Sequence, residues 1–217
     1  MTSPAEQEAL FDRWAKDYDA AVTSSSLEGS FPFDGYERIL DEVLEWADVR
    51  PSMRVLDLGI GTGNLASRFV GRGCEVWGVD FSAGMLADTR VKLPEAHLVQ
   101  ADLLREWPEE LLKQPFDRVV SAYVLHEFDF PANVRLLQQV AARLLSPDGG
   151  ILIADIAFPT TAARMEASQR WASLWDESED YWAAEEAIAA CTRVGLRAAY
   201  RQISFCGGLF RIVPCGT

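Results

Sequence analysis

Apolar and polar positions alternate along this chain in two periods that take turns. Leu10, Phe11, Trp14, Tyr18 and Val22 recur at helical spacing, with Asp12, Arg13, Lys16, Asp17 and Asp19 between them, which predicts an amphipathic helix. Gly29-Ser30-Phe31-Pro32 breaks that pattern. A second helix is predicted from about Tyr36 to Ala47, its apolar side made by Ile39, Leu40, Val43, Leu44 and Trp46. Pro51 separates this helical cap (1–50) from a main unit (51–217). Strands are predicted at Val55–Leu58, Glu75–Asp80, His97–Leu103, the stretch opening at Phe116, and Ile151–Ile156, where short apolar runs end at turn residues. Helical spacing returns between them: Leu65, Ala66, Phe69 and Val70; the stretch after Ser82, a suitable N-cap; and Val134, Leu137, Val140, Ala141 and Leu144 after Pro131. Strands alternating with helices predict an α/β fold with a parallel sheet.

The last third reads differently. Thr160–Trp182 is predicted helical, which would put Trp171, Trp175 and Trp182 on one face beside Tyr181, either as a lid or as packing against the sheet. A helix near Ala183–Val194 follows, then a strand Leu196–Phe205, a turn at Gly207-Gly208 and a strand Leu209–Val213, an antiparallel pair.

Composition narrows the function classes. At 217 residues, 49% of them apolar, the chain suits one α/β domain with additions. No apolar run approaches the roughly 18–20 residues of a membrane span, and the N-terminus lacks the basic-then-apolar order of a signal peptide, so a cytoplasmic protein with no membrane partner is expected. The net charge of −13 argues against nucleic acid. Acids crowd 176–186 and arginines 191–217, which reads as two solvated faces. Cys74, Cys191, Cys206 and Cys215 show no C-x-x-C spacing, so free thiols are expected. His97 and His126 are the only histidines, and no metal site is expected.

The chemistry gathers after the first strand. Gly59, Gly61 and Gly63 lie between that strand and a helix, an arrangement that turns backbone N–H groups and a helix N-terminus toward a ligand. Gly61-x-Gly63-x-x-Ala66 also satisfies the loose dinucleotide fingerprint. Asp57 sits inside the strand, where a carboxylate can accept hydrogen bonds from an ammonium or from loop N–H groups. Asp80 ends the second strand near the roughly 20-residue interval expected of a ribose-binding carboxylate. Asp102 ends the third. Cores avoid unpaired carboxylates because burial costs several kcal/mol, so three acids recurring at strand ends argue for a ligand at the carboxyl edge of the sheet.

Asp57-x-Gly59-x-Gly61-x-Gly63 resembles the first motif of the class I S-adenosylmethionine-dependent methyltransferases, and Gly78-Val79-Asp80-Phe81-Ser82-x-x-Met85 resembles the second. The Phe116–Phe128 stretch resembles the fourth motif, Pro147-x-Gly149-Gly150 the turn before the fifth strand, and Phe11-Asp12-x-Trp14-Ala15-x-x-Tyr18-Asp19 the opening of many small-molecule methyltransferases. The resemblance implies a Rossmann-like fold: a seven-stranded, mostly parallel sheet with an antiparallel last strand, helices on both faces and an N-terminal helical cap. It implies S-adenosyl-L-methionine as cofactor and S-adenosyl-L-homocysteine as product. Asp57, Gly59, Gly61, Gly63 and Asn64 would form the cofactor loop, and Asp80 would take the ribose hydroxyls. Phe81 and Met85 would pack on adenine, while Asp102, flanked by Ala101 and Leu103, would accept its amino group. Ser121 would border the cofactor, and Tyr18 would close over it or simply pack.

For the acceptor, a small molecule is expected, methylated by in-line displacement. His126 is the candidate general base, since its unperturbed pKa near 6.5 suits proton transfer at neutral pH; the alternative is a histidine that only orients the loop or substrate. Tyr123 would line the same pocket. Two other readings stand beside this one. An NAD-dependent oxidoreductase has Gly61-x-Gly63-x-x-Ala66 and Asp80 for it, and Asp57, Asp102 and the lack of a Tyr-x-x-x-Lys pair against it. A protein that binds the cofactor without transferring its methyl is the other. Monomer and homodimer are both compatible.

Overall fold

The computed structural model describes residues 30–216, so the Leu10–Val22 helix, Trp14 and Tyr18 lie outside the described residues. The first described helix, α1 (Tyr36–Ala47), buries Tyr36, Ile39, Leu40, Val43, Leu44 and Ala47 and turns Glu37, Asp41 and Glu45 outward. Its buried stripe lies against β5 (Leu145–Phe158) and β8 (Gly207–Pro214). Five neighbouring parallel strands form the body of the sheet: β3 (His97–Gln100), β2 (Glu75–Asp80), β1 (Arg54–Leu58), β4 (Phe116–Ala122) and β5, in that order across it. β8 then pairs antiparallel with β5 and with the edge strand β7 (Leu196–Gln202). The seven expected strands are all present; the two-residue β6 (Trp182–Ala183) adds a short parallel pairing with the end of β5.

Both faces of the sheet are covered. Along β5, Leu152, Ala154, Ile156 and Phe158 join the core beneath α1, α2 (Asn64–Val70) and α3 (Ala83–Lys92), while Ile151, Ile153 and Ala157 join the core on the other face. That second core includes Leu136, Leu137 and Val140 of α5 (Phe130–Arg143) and Ala184, Ala187 and Cys191 of α7 (Ala184–Arg193). The period-two alternation that a strand imposes therefore fills two cores with one apolar run. Each fully buried Phe or Leu contributes about 1.5–3 kcal/mol.

Four sequence expectations are corrected. β3 stops at Gln100, because after the Ala101 N–H bonds the Asp80 carbonyl (3.0 Å) the Asp102 carboxylate takes the Leu104 N–H (2.9 Å) and bends the chain. The Ser146–Gly150 turn is absorbed into β5 as a bulge, since Phe116 pairs with Leu145 and Arg118 with Gly150. The Thr160–Trp182 helix ends early: α6 is Thr161–Arg170. Beyond it the Asp176 carboxylate captures the Ser178 N–H (2.8 Å) and hydroxyl (2.6 Å), a local turn that competes with helix. Trp171 and Trp175 consequently stack on Phe31, whereas Trp182 packs on Phe130 and Phe210 in the other core; the three do not share a face. Finally, Gly207-Gly208 opens β8 rather than turning. A Cβ at Gly208 would run into the Tyr200 ring, so the residue is small because the neighbouring strand's side chain lies across it.

The short helix α4 (Glu109–Leu112) lies between β3 and β4 and buries Leu111. All four cysteines are free thiols. Among the described residues no helix is long and apolar enough to cross a membrane.

Candidate active site

A cavity of about 630 Å³ opens at the carboxyl ends of β1, β2 and β4, where the strand order reverses and an open α/β sheet binds its ligands. The glycine loop forms one wall. Gly59 (φ 70°) and Gly63 (φ 80°) are left-handed, and Gly63 caps α2. An added Cβ at Gly59 would sit 2.5 Å from Val124 Cγ2. Gly59→Ala is therefore expected to cost about 2–4 kcal/mol, the backbone strain and the overpacking together, read as a lower urea midpoint; an unchanged midpoint would contradict this geometry.

The three acids meet that loop differently. Asp57 is 2% exposed, and its Oδ2 has no hydrogen-bond partner among the described residues. Burial, with the nearby Asp80 charge, holds the Asp57 carboxyl well above the usual carboxylate range. Asp80 accepts the Gly61 N–H (2.9 Å) at one oxygen and the Ser82 N–H (2.9 Å) at the other, tying strand end, loop and α3 together. Asp102 is half exposed at the rim, beside Leu103 and Leu104. Phe81, Met85 and Asn64 also line the cavity.

Three predicted residues do not line it. Gly63 only shapes the loop, Ala101 lies behind Asp102, and the Ser121 hydroxyl donates to the Leu58 carbonyl (2.7 Å), bonding β4 to β1 from a fully buried position. Among those that sequence reasoning missed, Phe33 and Tyr36 from α1 and its approach, Glu127 and Glu179 line it.

The far end is organised by Asp155, a carboxylate with no exposed surface near the carboxyl end of β5. One oxygen accepts the Leu125 (2.9 Å) and His126 (3.2 Å) N–H groups; the other accepts the Ile156 N–H (2.8 Å) and lies 2.6 Å from His126 Nδ1. A carboxylate accepts hydrogens, so Nδ1 carries one toward Asp155, and Nε2 lies on the side of Glu127 and Glu179, which line the cavity. The short 3₁₀ turn Leu125–Glu127 is held by Asn133, whose amide donates to the Leu125 (2.8 Å) and Phe128 (3.1 Å) carbonyls. Tyr123, at φ 57°, starts this turn and lines the cavity. The 176–181 segment is pinned alongside by Asp180, whose N–H donates to the His126 carbonyl (2.7 Å) and whose carboxylate takes the Phe130 N–H (2.8 Å). Glu179 thus comes within 4.0 Å of Nε2, and Glu127 within 3.9 Å.

Burial opposes charge on His126, but the ion pair and hydrogen bond to Asp155, with Glu179 and Glu127 adding to them, push its pKa up to about 9. A group whose folded pKa is raised stabilises the fold fully below its unfolded pKa and loses that contribution as pH rises through the folded one. Stability is therefore expected to fall by on the order of 3 kcal/mol between about pH 6.5 and pH 9. His126→Gln should flatten the profile in that window, and an equally sloped variant would remove His126 as the cause.

The Methyltransferase domain family matches residues 55–149. An uncharacterized methyltransferase of Geobacillus kaustophilus is 30% identical over 201 residues, covering 89% of this chain and 90% of the relative. One from Anoxybacillus flavithermus is 32% identical over 173 residues, covering 79% and 78%. The chain belongs to the class I S-adenosylmethionine-dependent methyltransferases. Solved structures agree on the fold of this methyltransferase. A DhpI–SAM–HEP complex superposes with a TM-score of 0.75 at 20% identity, covering 99% of this chain and 100% of that one. A methyltransferase in complex with the Haloferax volcanii Trm112 activator gives 0.71 at 18% identity, covering 94% and 97%. The methyltransferase site suits its cofactor on its own terms. The buried Asp57 oxygen without a hydrogen-bond partner among the described residues is of a kind that fits an ammonium donor, and the left-handed glycines leave backbone space that side chains would fill.

Proposed function

We propose that this methyltransferase transfers a methyl group to a small-molecule acceptor by in-line displacement, with His126 as general base and Asp155 as the residue that positions it. The observation that carries this reading is the Asp155–His126 pair, in which Nδ1 is held at 2.6 Å and Nε2 is turned into the cavity. S-adenosylmethionine, when bound, supplies a methyl carbon already activated by its sulfonium. The chain's part is alignment, exclusion of water and movement of one proton.

Asp57 would take the ammonium of the cofactor, Asp80 its ribose, and Asp102 with Leu103 the adenine, between Phe81 and Met85. Gly59, Gly61 and Asn64 would lie against it. Holding Nδ1–H on Asp155 leaves the neutral ring with its lone pair on Nε2, facing whatever acceptor sits beside the methyl. The cavity volume suits a cofactor and one small acceptor. The alternatives are separated by calorimetry with S-adenosylmethionine, S-adenosylhomocysteine and NAD. Binding of both sulfur ligands without NAD is expected; binding of NAD alone would return the protein to the oxidoreductases. Transfer of label from methyl-labelled cofactor to a product then distinguishes an enzyme from a protein that only holds the cofactor.

A further inference from the structure

Resting on that reading, we propose that the acceptor is a small amine, held as its ammonium between Glu127 and Glu179 and deprotonated by His126 Nε2. Six acids line the cavity and, among the described residues, no lysine or arginine; His126 is its one basic side chain. Asp57, Asp80 and Asp102 belong to the cofactor end, and Asp129 is occupied capping α5 through the Ala132 N–H (2.6 Å). Glu127 and Glu179 are left, both largely buried, with the Tyr181 hydroxyl hydrogen-bonded to Glu179.

Around His126 three carboxylates, those two and Asp155, face one imidazole. Even against a protonated His126, three carboxylates leave excess negative charge, which a carboxylate, phosphate or phosphonate acceptor would add to in a poorly solvated site and a cation would relieve. The second observation is His126 itself. Its side chain is nine-tenths buried, and among the described residues Nε2 makes no hydrogen bond, although it lies beside Glu127 and Glu179 at the cavity. One donor atom from each of His126, Glu127 and Glu179 lies within 4.8 Å of the others. That is the spread of three acceptors around an ammonium nitrogen making hydrogen bonds of about 2.8 Å. The Nε2–carboxylate separations of 3.9 and 4.0 Å fall between the roughly 3.4 Å of tetrahedral metal bonds of about 2.1 Å and the roughly 4.6 Å of a tetrahedral ammonium site, so the spacing admits either and titration with Mn²⁺ decides. Phe33, Tyr36 and Tyr123, packed on one another at 5.1–6.1 Å, supply aromatic faces to the same cavity, which favour a cation over a neutral hydroxyl.

The step balances. The ammonium N–H bond breaks and its proton goes to Nε2. The freed nitrogen pair forms the N–C bond to the methyl carbon as the C–S bond breaks, its electron pair leaving with sulfur. The products are an N-methylated ammonium, a neutral thioether and one proton that His126 returns to solvent.

The probes are 2-phenylethylamine, 2-phenylethanol and phenylacetate, one skeleton with three head groups, titrated calorimetrically into protein saturated with S-adenosylhomocysteine. The amine is expected to bind at least about tenfold more tightly than the alcohol, and phenylacetate most weakly. Glu179→Gln should weaken the amine about tenfold while leaving the alcohol and S-adenosylhomocysteine unchanged. The proposal is overturned if the alcohol or the carboxylate matches the amine, if none of the three saturates, or if the amine preference survives in Glu127→Gln/Glu179→Gln. Saturable Mn²⁺ binding lost in the same variants would also overturn it, by placing a metal where the ammonium belongs. Failure of S-adenosylhomocysteine to bind the unmodified protein would instead sink the cofactor-site reading beneath it.

Discussion

Asp80→Ala is expected to lower affinity for S-adenosylmethionine at least about 100-fold, because two charge-assisted hydrogen bonds are worth about 1.5–3 kcal/mol each and every 1.4 kcal/mol is tenfold. The loss has two sources. The carboxylate is the acceptor proposed for the ribose hydroxyls, and it already holds Gly61 N–H and Ser82 N–H at 2.9 Å in the free protein. Removing it therefore loosens the glycine loop as well. Asp80→Asn separates the two sources, since its amide oxygen can keep one of those bonds; its loss should be the smaller. Calorimetric titration of both variants with S-adenosylmethionine and S-adenosylhomocysteine checks this. An Asp80→Ala affinity within about threefold of the unmodified protein would place the ribose elsewhere.

Asp155→Asn is expected to lower kcat by on the order of 10³, with a loss of fold stability of about 1–3 kcal/mol. The carboxylate accepts four hydrogens: three from backbone N–H groups and one from His126 Nδ1. An amide has one acceptor oxygen, so one side of the new residue must set N–H against N–H. If the amide nitrogen faces Nδ1, the ring takes the other tautomer and Nε2 carries a hydrogen instead of a lone pair. A residue that merely braced the fold would lower stability and leave the pH profile alone. The positioning role moves the profile: the inflection in kcat/KM, expected near 9 with activity rising as His126 loses its proton, should fall toward the ordinary imidazole value once the Asp155 charge is gone. An unmoved inflection would remove His126 from proton transfer.

Much of the glycine-loop end of the cavity could be read from residue order because its contacts are local. Asp57, Gly59, Gly61 and Gly63 are near neighbours in the chain, and Asp80 follows at the next strand end, so strand–turn–helix spacing places them together. The His126 end was harder to see. His126, Asp155 and Glu179 come from the 3₁₀ turn, β5 and the 176–181 segment, and nothing in their spacing announces a meeting. One signal was available: Asp155 interrupts Ile151-Leu152-Ile153-Ala154-Asp155-Ile156, and a carboxylate inside a strand with both faces covered must find partners. The same logic had already marked Asp57.

The aromatic segment shows the opposite failure. Trp171, Trp175 and Trp182 have helical spacing, but the Asp176 turn ends that period, and Trp182 crosses to the other core through its pairing with the end of β5. By itself the sequence determined the strand–helix alternation and the glycine loop, since each depends on hydrophobic period or on contacts within a few residues, whereas the strand order rests on pairings such as Val55 with Arg118, more than sixty residues apart. Only the tertiary structure decided that Asp155 holds His126, that Ser121 bonds β1 rather than facing the cavity, and that Glu127 and Glu179 converge beside Nε2. Those arrangements depend on which strand register and which loop arrive at the same point in space, and residue spacing carries no such information.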